Sequence, residues 1–374
     1  MNSAAMNESG LITQYRRYIR NRVLFIILVM AGIAVVGLLA VVSGAAGIAV
    51  RDVLSVFTGN ADLATTQIVM QIRMPRVVAA LLAGFALSAS GAVMQSILRN
   101  PLASPFTLGI SGAAAFGAAF AIVVLGAGSA IDTTALFEDV AASSRNGLLA
   151  RLGDRYLLMG MAFLWSMTST FFILAIARYR GVTPEVMVLA GIAIGSLFSA
   201  GVSAMQYLAT EAELAAIVFW MFGDLGRASW QEVWLLALVL IPVWLFFTTM
   251  SWNYKALQSG DEYARSLGVN PFRIRLYGML IASLATAVVV SFYGIIAFVG
   301  LVVPHIVRRF IGGDESFLIP AAALFGALFL LLSDTVARTL FSPVILPVGI
   351  LTSFIGAPLF LFLLLKGLGK SYWN

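Results

Sequence analysis

Few side chains in this 374-residue sequence are of types that could do chemistry, and their spacing argues against most of the obvious reactions. The tail "GLGKS", Gly367–Ser371, resembles the end of a loop whose backbone amides wrap a phosphate. That motif needs an earlier glycine where Leu364 stands, so the chain is expected to bind no nucleotide. His305, in "GLVVPHIVRR", is the sole histidine. Without cysteines or nearby acids it cannot assemble a metal centre, so a structural or interfacial place is expected and no metal ligand is assigned. Asp334 and Arg338 stand one helical turn apart, where they can pair with each other or serve a site. Ion-coupled carriers place ionisable groups mid-span at a cost of at least ~2.5–3.5 kcal/mol each. No such group interrupts the apolar runs here, so no covalent, redox or metal-dependent step is expected, and the chain is not read as an enzyme.

The composition explains where such residues can lie. Hydrophobic residues make up 61% of the chain and charged ones 11%, against roughly 25% charged in soluble domains. The charges are bunched and leave nine uncharged runs, from Val23–Val50 to Thr339–Leu365. Each is long enough for a helix of ~20 residues to cross a bilayer. The runs are continuous and rich in Leu, Ala and Gly, not alternating in ten-residue strands, which excludes an outer-membrane barrel. The net charge of +6 sits beside these runs, where Lys and Arg report topology, so nucleic acid is not an expected partner and lipid is. "YRRYIRNR" before the first run resembles a signal peptide, but the run is too long for a signal core and reads as a retained helix.

The stretch from Leu276 to Val307 would make a helix of about 48 Å at ~1.5 Å per residue, too long for one crossing of ~30 Å. Gly294 and Gly300 predict a break, with one helix ending near Tyr293 and another running from about Ala297 to Phe310. The expected fold is therefore an all-α polytopic membrane protein of ten transmembrane helices. With both termini inside, fifteen of the 23 Lys and Arg residues fall on inner segments and eight on outer ones, as the positive-inside rule requires. The boundaries are a cytoplasmic segment over 1–22, one transmembrane domain over 23–366 and a cytoplasmic tail over 367–374. Within the domain lie an external insertion at 128–155, an outer interfacial segment at 209–230 with Trp220 and Trp230 as anchors, and a cytoplasmic loop at 252–271. Gly- and Ala-rich stretches such as "LAGFALSASGA", Leu82–Ala92, predict close helix–helix contact.

That loop contains the most polar motif in the chain, "LQSGDEYARSLGVN", Leu257–Asn270. Ser259 and Glu262 have the spacing of a capping box, Gly268 suits a left-handed C-terminus, and Asn270-Pro271 suits the start of the next helix. Gly260, Ala264 and Leu267 are expected on one small apolar face, with Asp261, Glu262 and Arg265 elsewhere. A helix this short is unstable alone, since isolated helices need ~12–15 residues. It must rest on something, and both a docked cytoplasmic partner and an ordinary connecting loop fit.

The same motif resembles the coupling loop of permease subunits in the FecCD-type family of ABC importers for ferric siderophores, haem and cobalamin. "IRMPRVVAALLAGFALSASGAVMQSILRNPLASPFTLGISGAA" (Ile72–Ala114), "FVGLVVPHIVRR", "SDTVAR" and "LPVGILTSFIGAPLFLFLLLK" (Leu346–Lys366) agree in family order. The resemblance implies the type II ABC importer permease fold and a second permease subunit, identical or homologous, around a shared path in a prokaryotic inner membrane. It implies cytoplasmic ATPase subunits that carry the ATP and Mg, this chain holding no cofactor, and a substrate-binding protein on the outer face. It assigns Leu257, Gly260, Asp261, Glu262, Ala264, Arg265, Leu267 and Gly268 to ATPase coupling. Arg73 and Arg338 match positions that meet glutamates of the binding protein. Thr183, in "RGVTPEVM", stands at the expected inner gate, although Pro184 and Glu185 depart from the family pattern. A ferric siderophore is the expected cargo, with haem or cobalamin as the alternative and an ion-coupled carrier as the rival class.

Overall fold

The structure is a computed structural model, and it describes residues 2–44, 47–127, 148–341 and 344–367. The tail motif and most of the 128–155 insertion lie outside them. Fifteen α-helices and one π-helical turn order as α1 (Asn2–Val42), α2 (Val50–Phe57), α3 (Leu63–Gln67), a π turn (Ile68–Arg73), α4 (Met74–Ile97), α5 (Ile110–Val123), α6 (Leu148–Arg180) and α7 (Pro184–Leu208). Then follow α8 (Glu211–Met221), α9 (Trp230–Thr249), α10 (Ser251–Gln258), α11 (Asp261–Ser266), α12 (Pro271–Tyr293), α13 (Val299–Ile311), α14 (Glu315–Thr339) and α15 (Val348–Gly367). Among the described residues seven helices or fused helices are long and apolar enough to span a bilayer, α5 and α15 are shorter apolar helices, and α13 is a short helix that carries two arginines in its last turn and packs on α4 and α14. The expected break after Tyr293 is present: Gly294 takes a φ of 75° and α13 begins at Val299.

Local sequence explains the ends. Asp62, Thr183, Asn270 and Asp314 each accept a hydrogen bond from a backbone N–H in the first turn of the helix that follows, and Thr210 with Glu213 forms a capping box. Pro75 cannot donate to the helical ladder; just ahead of it the chain widens into the π turn, and the Met74 N–H donates to Val69 O. α8 sits between α7 and α9, but its Trp220 is buried and packed in an apolar cluster, so it is no interfacial anchor. Trp230 is half-buried and donates its indole N–H to Met70 O at 2.7 Å.

The packing centres on α4. In the most apolar window of the fused α3–α4 span 78% of residues are buried, against 17% in that of α1. α4 packs on α14, α12, α13 and α9, while α5, α6 and α7 form a second layer joined to it through α12. Glycine makes the α4 contacts possible. A Cβ on Gly91 would overlap the Gly300 carbonyl, and one on Gly300 would stand 2.7 Å from Leu87 O. The small-residue stripe therefore serves close approach of α4 and α13, as expected. Gly91→Val should lower the thermal stability of the purified protein by ~1–3 kcal/mol or more, whereas Gly37→Val, with nothing within 4 Å of the added Cβ, should leave the melting curve in place. Equal melting of the two variants would remove the α4–α13 contact as the tight point.

Candidate functional site

Charged side chains gather at two ends of the bundle, and those of one end do not pair with those of the other. At the first end α10 and α11 lie against the starts of α12 and α14. The coupling motif does not cap as its spacing suggested. Gly260, with a φ of 114°, is the N-cap of α11, and Ser259 closes α10 instead. A left-handed glycine between two short helices displaces the expected Ser259–Glu262 box. At the other end of α11 Gly268 has a φ of 78°, the Val269 N–H donates to Ala264 O at 2.9 Å, and Asn270 caps α12, all as predicted.

The motif's residues divide into two faces. Leu257 and Ala264 are wholly buried in their own bundle, which corrects the expectation that Ala264 shares an outward face with Leu267. Leu267 and Tyr263 are 45% and 53% exposed, and Glu262 and Arg265 are exposed beside them. Asp261 is not loose either. It accepts two hydrogen bonds from buried Arg275, at 2.6 and 2.7 Å, and this bonding holds its carboxyl below the ordinary 3.8. Arg275 also donates from Nε to Ile97 O at 3.0 Å and from Nη1 to Val182 O at 3.4 Å. Val182 precedes Thr183, which caps α7 through Val186 N and is exposed.

A second buried group lies nearby. Glu315 of α14 is fully buried, pairs with Arg308 of α13 at 3.6 Å and accepts a hydrogen bond from Gln258 of α10. Its neighbour Asp314 meets Arg22 of α1 at 3.4 Å and Lys255 of α10 at 3.2 Å. Four helices thus share one ionic knot.

At the opposite end Arg73 and Arg338 clasp the C-terminus of α1. Arg73 donates to Val41 O and Val42 O at 2.6 and 2.7 Å, and Arg338 to Ala40 O and Ser43 O at 2.8 and 3.1 Å. These carbonyls have no helical partner, and the helix dipole favours cations there. Asp334 supplies the countercharge. It lies 3.3 Å from Arg338, as its spacing allowed, but binds Arg76 more closely, through contacts of 2.8 and 3.0 Å. Both proposed docking arginines are therefore buried, at 5% and 9% exposure, with their guanidinium groups turned on to their own chain.

Between the ends, α5 and α7 border an open cleft of about 680 Å³. Its walls carry Thr107, Ser111, Ser196, Ser199, Ser203 and Gln206 among glycines and the apolar Ile192, Val202, Met221 and Ile295, with Phe106 as the lone aromatic and no charge among the described lining residues.

Residues 32–366 match the model of the FecCD transport family. The chain belongs to that family. An ABC transporter permease protein of Methanocaldococcus jannaschii is 48% identical over 353 residues, 94% of this chain and 97% of the relative. A hemin transport system permease protein of Yersinia pestis is 37% identical over 299 residues, covering 80% of this chain and 83% of the relative. Among solved structures, a metal-chelate type ABC transporter in an inward-facing conformation matches with a TM-score of 0.77 at 28% identity, over 91% of this chain and 98% of the other. This FecCD member is thus a permease subunit of an ABC importer, with the type II importer permease fold.

Sequence reading missed Arg275, the Arg308–Glu315 pair and Arg76. Each sits at a helix end beside an apolar run. Arg76 and Asp334 are 258 residues apart and Arg275 reaches Ile97 O 178 residues away, so no local spacing announces those contacts, while Arg308 and Glu315 stand close in sequence but on two different helices. The signal available was the helix-end position itself, where an arginine can only be exposed or paired.

Two outcomes follow. Asp334→Asn removes the countercharge from two buried arginines and should cost ~3–5 kcal/mol, read as a lowered unfolding midpoint in detergent. An unchanged midpoint would mean that the α1 carbonyls suffice for Arg338 and that Asp224, 3.8 Å from Arg76, suffices for Arg76. Because the Asp261 carboxyl is held low, its tie to Arg275 is complete above its ordinary value and is lost as pH falls through the lowered one. A spin label on Ser266→Cys should stay immobile from neutral pH down to about 3.8 and mobilise only below it. Release near neutrality would show that the ion pair does not hold α11.

Proposed function

We propose that this permease passes a ferric siderophore from a substrate-binding protein to the cytoplasm, driven by ATP hydrolysed on partner subunits. The observation that carries the cargo assignment is the α5–α7 cleft. A wall of hydroxyls, one amide, glycines and a few aliphatic side chains suits a chelate that must be held weakly and released, whereas a haem plane would be better served by aromatic walls. The hemin relative and the metal-chelate neighbour support an iron-containing cargo. The cleft is open, and a second permease subunit, identical or homologous, would complete the path.

The motor would meet the chain at α11. Leu267 and Tyr263 expose apolar surface ringed by Glu262 and Arg265, which suits insertion into a groove of an ATPase subunit. The binding protein would meet the opposite end, where Arg73 and Arg338 fix the α1 corner. Fifteen of the 23 Lys and Arg residues on the α11 side favour both termini in the cytoplasm, and the archaeal and bacterial relatives support a prokaryotic inner membrane. Transport is then alternating access, with nucleotide binding on the partner shifting the population of inward- and outward-open states.

Proteoliposomes holding this chain with its ATPase and binding protein should accumulate a hydroxamate siderophore loaded with radioactive iron only when ATP is supplied, and should leave haem and cobalamin outside. Preferential uptake of haem would overturn the cargo, and uptake without the ATPase would make the chain a stand-alone carrier. Leu267→Asp should lower uptake at least about tenfold, since it buries a charge at the docking surface, while the variant still purifies as a folded chain. Wild-type uptake by that variant would move the docking surface elsewhere.

A further inference from the structure

One side chain joins α11 to α7, a helix that walls the cleft. Arg275 is 3% exposed, stands in the second turn of α12, and spends its guanidinium on three other segments at once. Both Nη atoms reach the Asp261 carboxylate of α11, Nε reaches Ile97 O at the end of α4, and Nη1 reaches Val182 O in the turn before α7. The planar fork of arginine fixes these directions relative to one another, which a lysine ammonium could not do.

What lies on either side makes the connection directional. α11 has six residues and follows the left-handed Gly260, so nothing in its own backbone resists displacement. α7 begins at Pro184, two residues past Val182, and its Gly191, Gly195, Ser196, Ser199, Ser203 and Gln206 face the cleft. Only Thr183 separates the Arg275 acceptor, Val182, from that helix, and Gly181 just before it has a φ of 103°. α4, the third segment, is the buried axis of the bundle. A shift of α11 is therefore passed through one rigid group to the foot of α7, while the Ile97 bond keeps the pivot attached to the axis.

We propose that Arg275 is the positioning residue that converts movement of α11 into movement of the Gly181–Thr183 turn and α7, by holding Asp261 and the Val182 carbonyl on one guanidinium. This rests on the reading of α11 as the ATPase-facing element. The linkage predicts that loss of either bond leaves the two elements moving independently.

The test uses the complete transporter in proteoliposomes. The chain has no cysteine, so Thr183→Cys introduces a unique label position. Its rate of reaction with a water-soluble maleimide is measured without nucleotide and with ATP and vanadate. In the otherwise wild-type chain the two rates should differ. Adding Asp261→Asn should shrink that difference at least about fivefold, the low end of ordinary coupling strengths, and Arg275→Lys should do the same although the charge is kept. Asp261→Asn leaves the bonds of Arg275 to Ile97 and Val182 in place, so it reports on the link even if the Arg275 variant does not fold, and its melting curve is recorded beside the labelling. A nucleotide response preserved in a well-folded Asp261→Asn variant overturns the proposal, as does an absence of response at position 183 in the otherwise wild-type complex. The labelling needs no cargo. A failure to import siderophore with the labelling pattern intact would count against the cargo assignment and leave the linkage standing.

Discussion

A buried charge in a low-dielectric bundle must be matched, and this constraint organises the molecule. Leaving one member of a buried pair without its partner costs ~3–5 kcal/mol. Among the described residues most buried ionic groups therefore gather in two sets at the ends of the helices, with Arg275–Asp261 and Arg155–Glu232 as separate pairs, and the middle of the bundle is filled chiefly with Ala, Gly, Leu and Val. Arg76, Arg73 and Arg338 meet around Asp334 and the α1 carbonyls; Arg308, Glu315, Asp314, Lys255 and Arg22 meet where α1, α10, α13 and α14 converge. Each set joins helices distant in sequence. The order in which those helices pack is thereby fixed at both ends, and glycine contacts such as Gly91–Gly300 only have to bring the middles together.

Much of this was legible in the sequence, for a definite reason. A lipid-spanning helix must satisfy its own backbone, so length and apolarity alone give its place. Tyr293 and the glycine after it were readable because two glycines interrupt a stretch too long for one crossing. The caps at Asn270 and Gly268 were equally readable, being decided within four residues. Ser259 and Glu262 show where that local logic fails. The box has correct spacing, but the backbone turn at Gly260, with a φ of 114°, moves the helix start by one residue, and α10 running up to Ser259 takes that serine as its own C-cap. Arg275 was illegible for a different reason: two of its acceptors, Ile97 O and Val182 O, are backbone carbonyls far along the chain, and a carbonyl has no sequence signature. The hydroxyls of the cleft were hidden likewise, since α5 and α7 contribute them from separate runs.

The family relationship explains why such features sit where they do without supplying them. A permease subunit of an ABC importer must open a path through its own bundle. A uniformly stiff bundle would not do this, and a uniformly soft one would not transmit anything. The central α4 axis, buried along its length, gives the stiff part. The second layer of α5, α6 and α7 touches the axis chiefly through α12, the helix that carries Arg275. Movement of that layer need not disturb the α4–α13–α14 core.

The two ends also differ in what their arginines hold, and the difference assigns them different mechanical roles. Arg73 and Arg338 grip carbonyls of a long helix, α1, whose remaining hydrogen bonds keep it in shape, so their bonds stiffen a corner that is already rigid. Arg275 grips a six-residue helix that has little stability of its own. Such a helix takes the position of whatever holds it, whether Arg275 from inside or a docked protein from outside through Tyr263 and Leu267. Competition between those two holds is energetically feasible because Asp261 is partly solvent-exposed, and water can replace part of what the ion pair loses when α11 moves. The end with exposed apolar surface on a short, tethered helix is therefore the one built to move, and the end with buried clasps is the one built to stay.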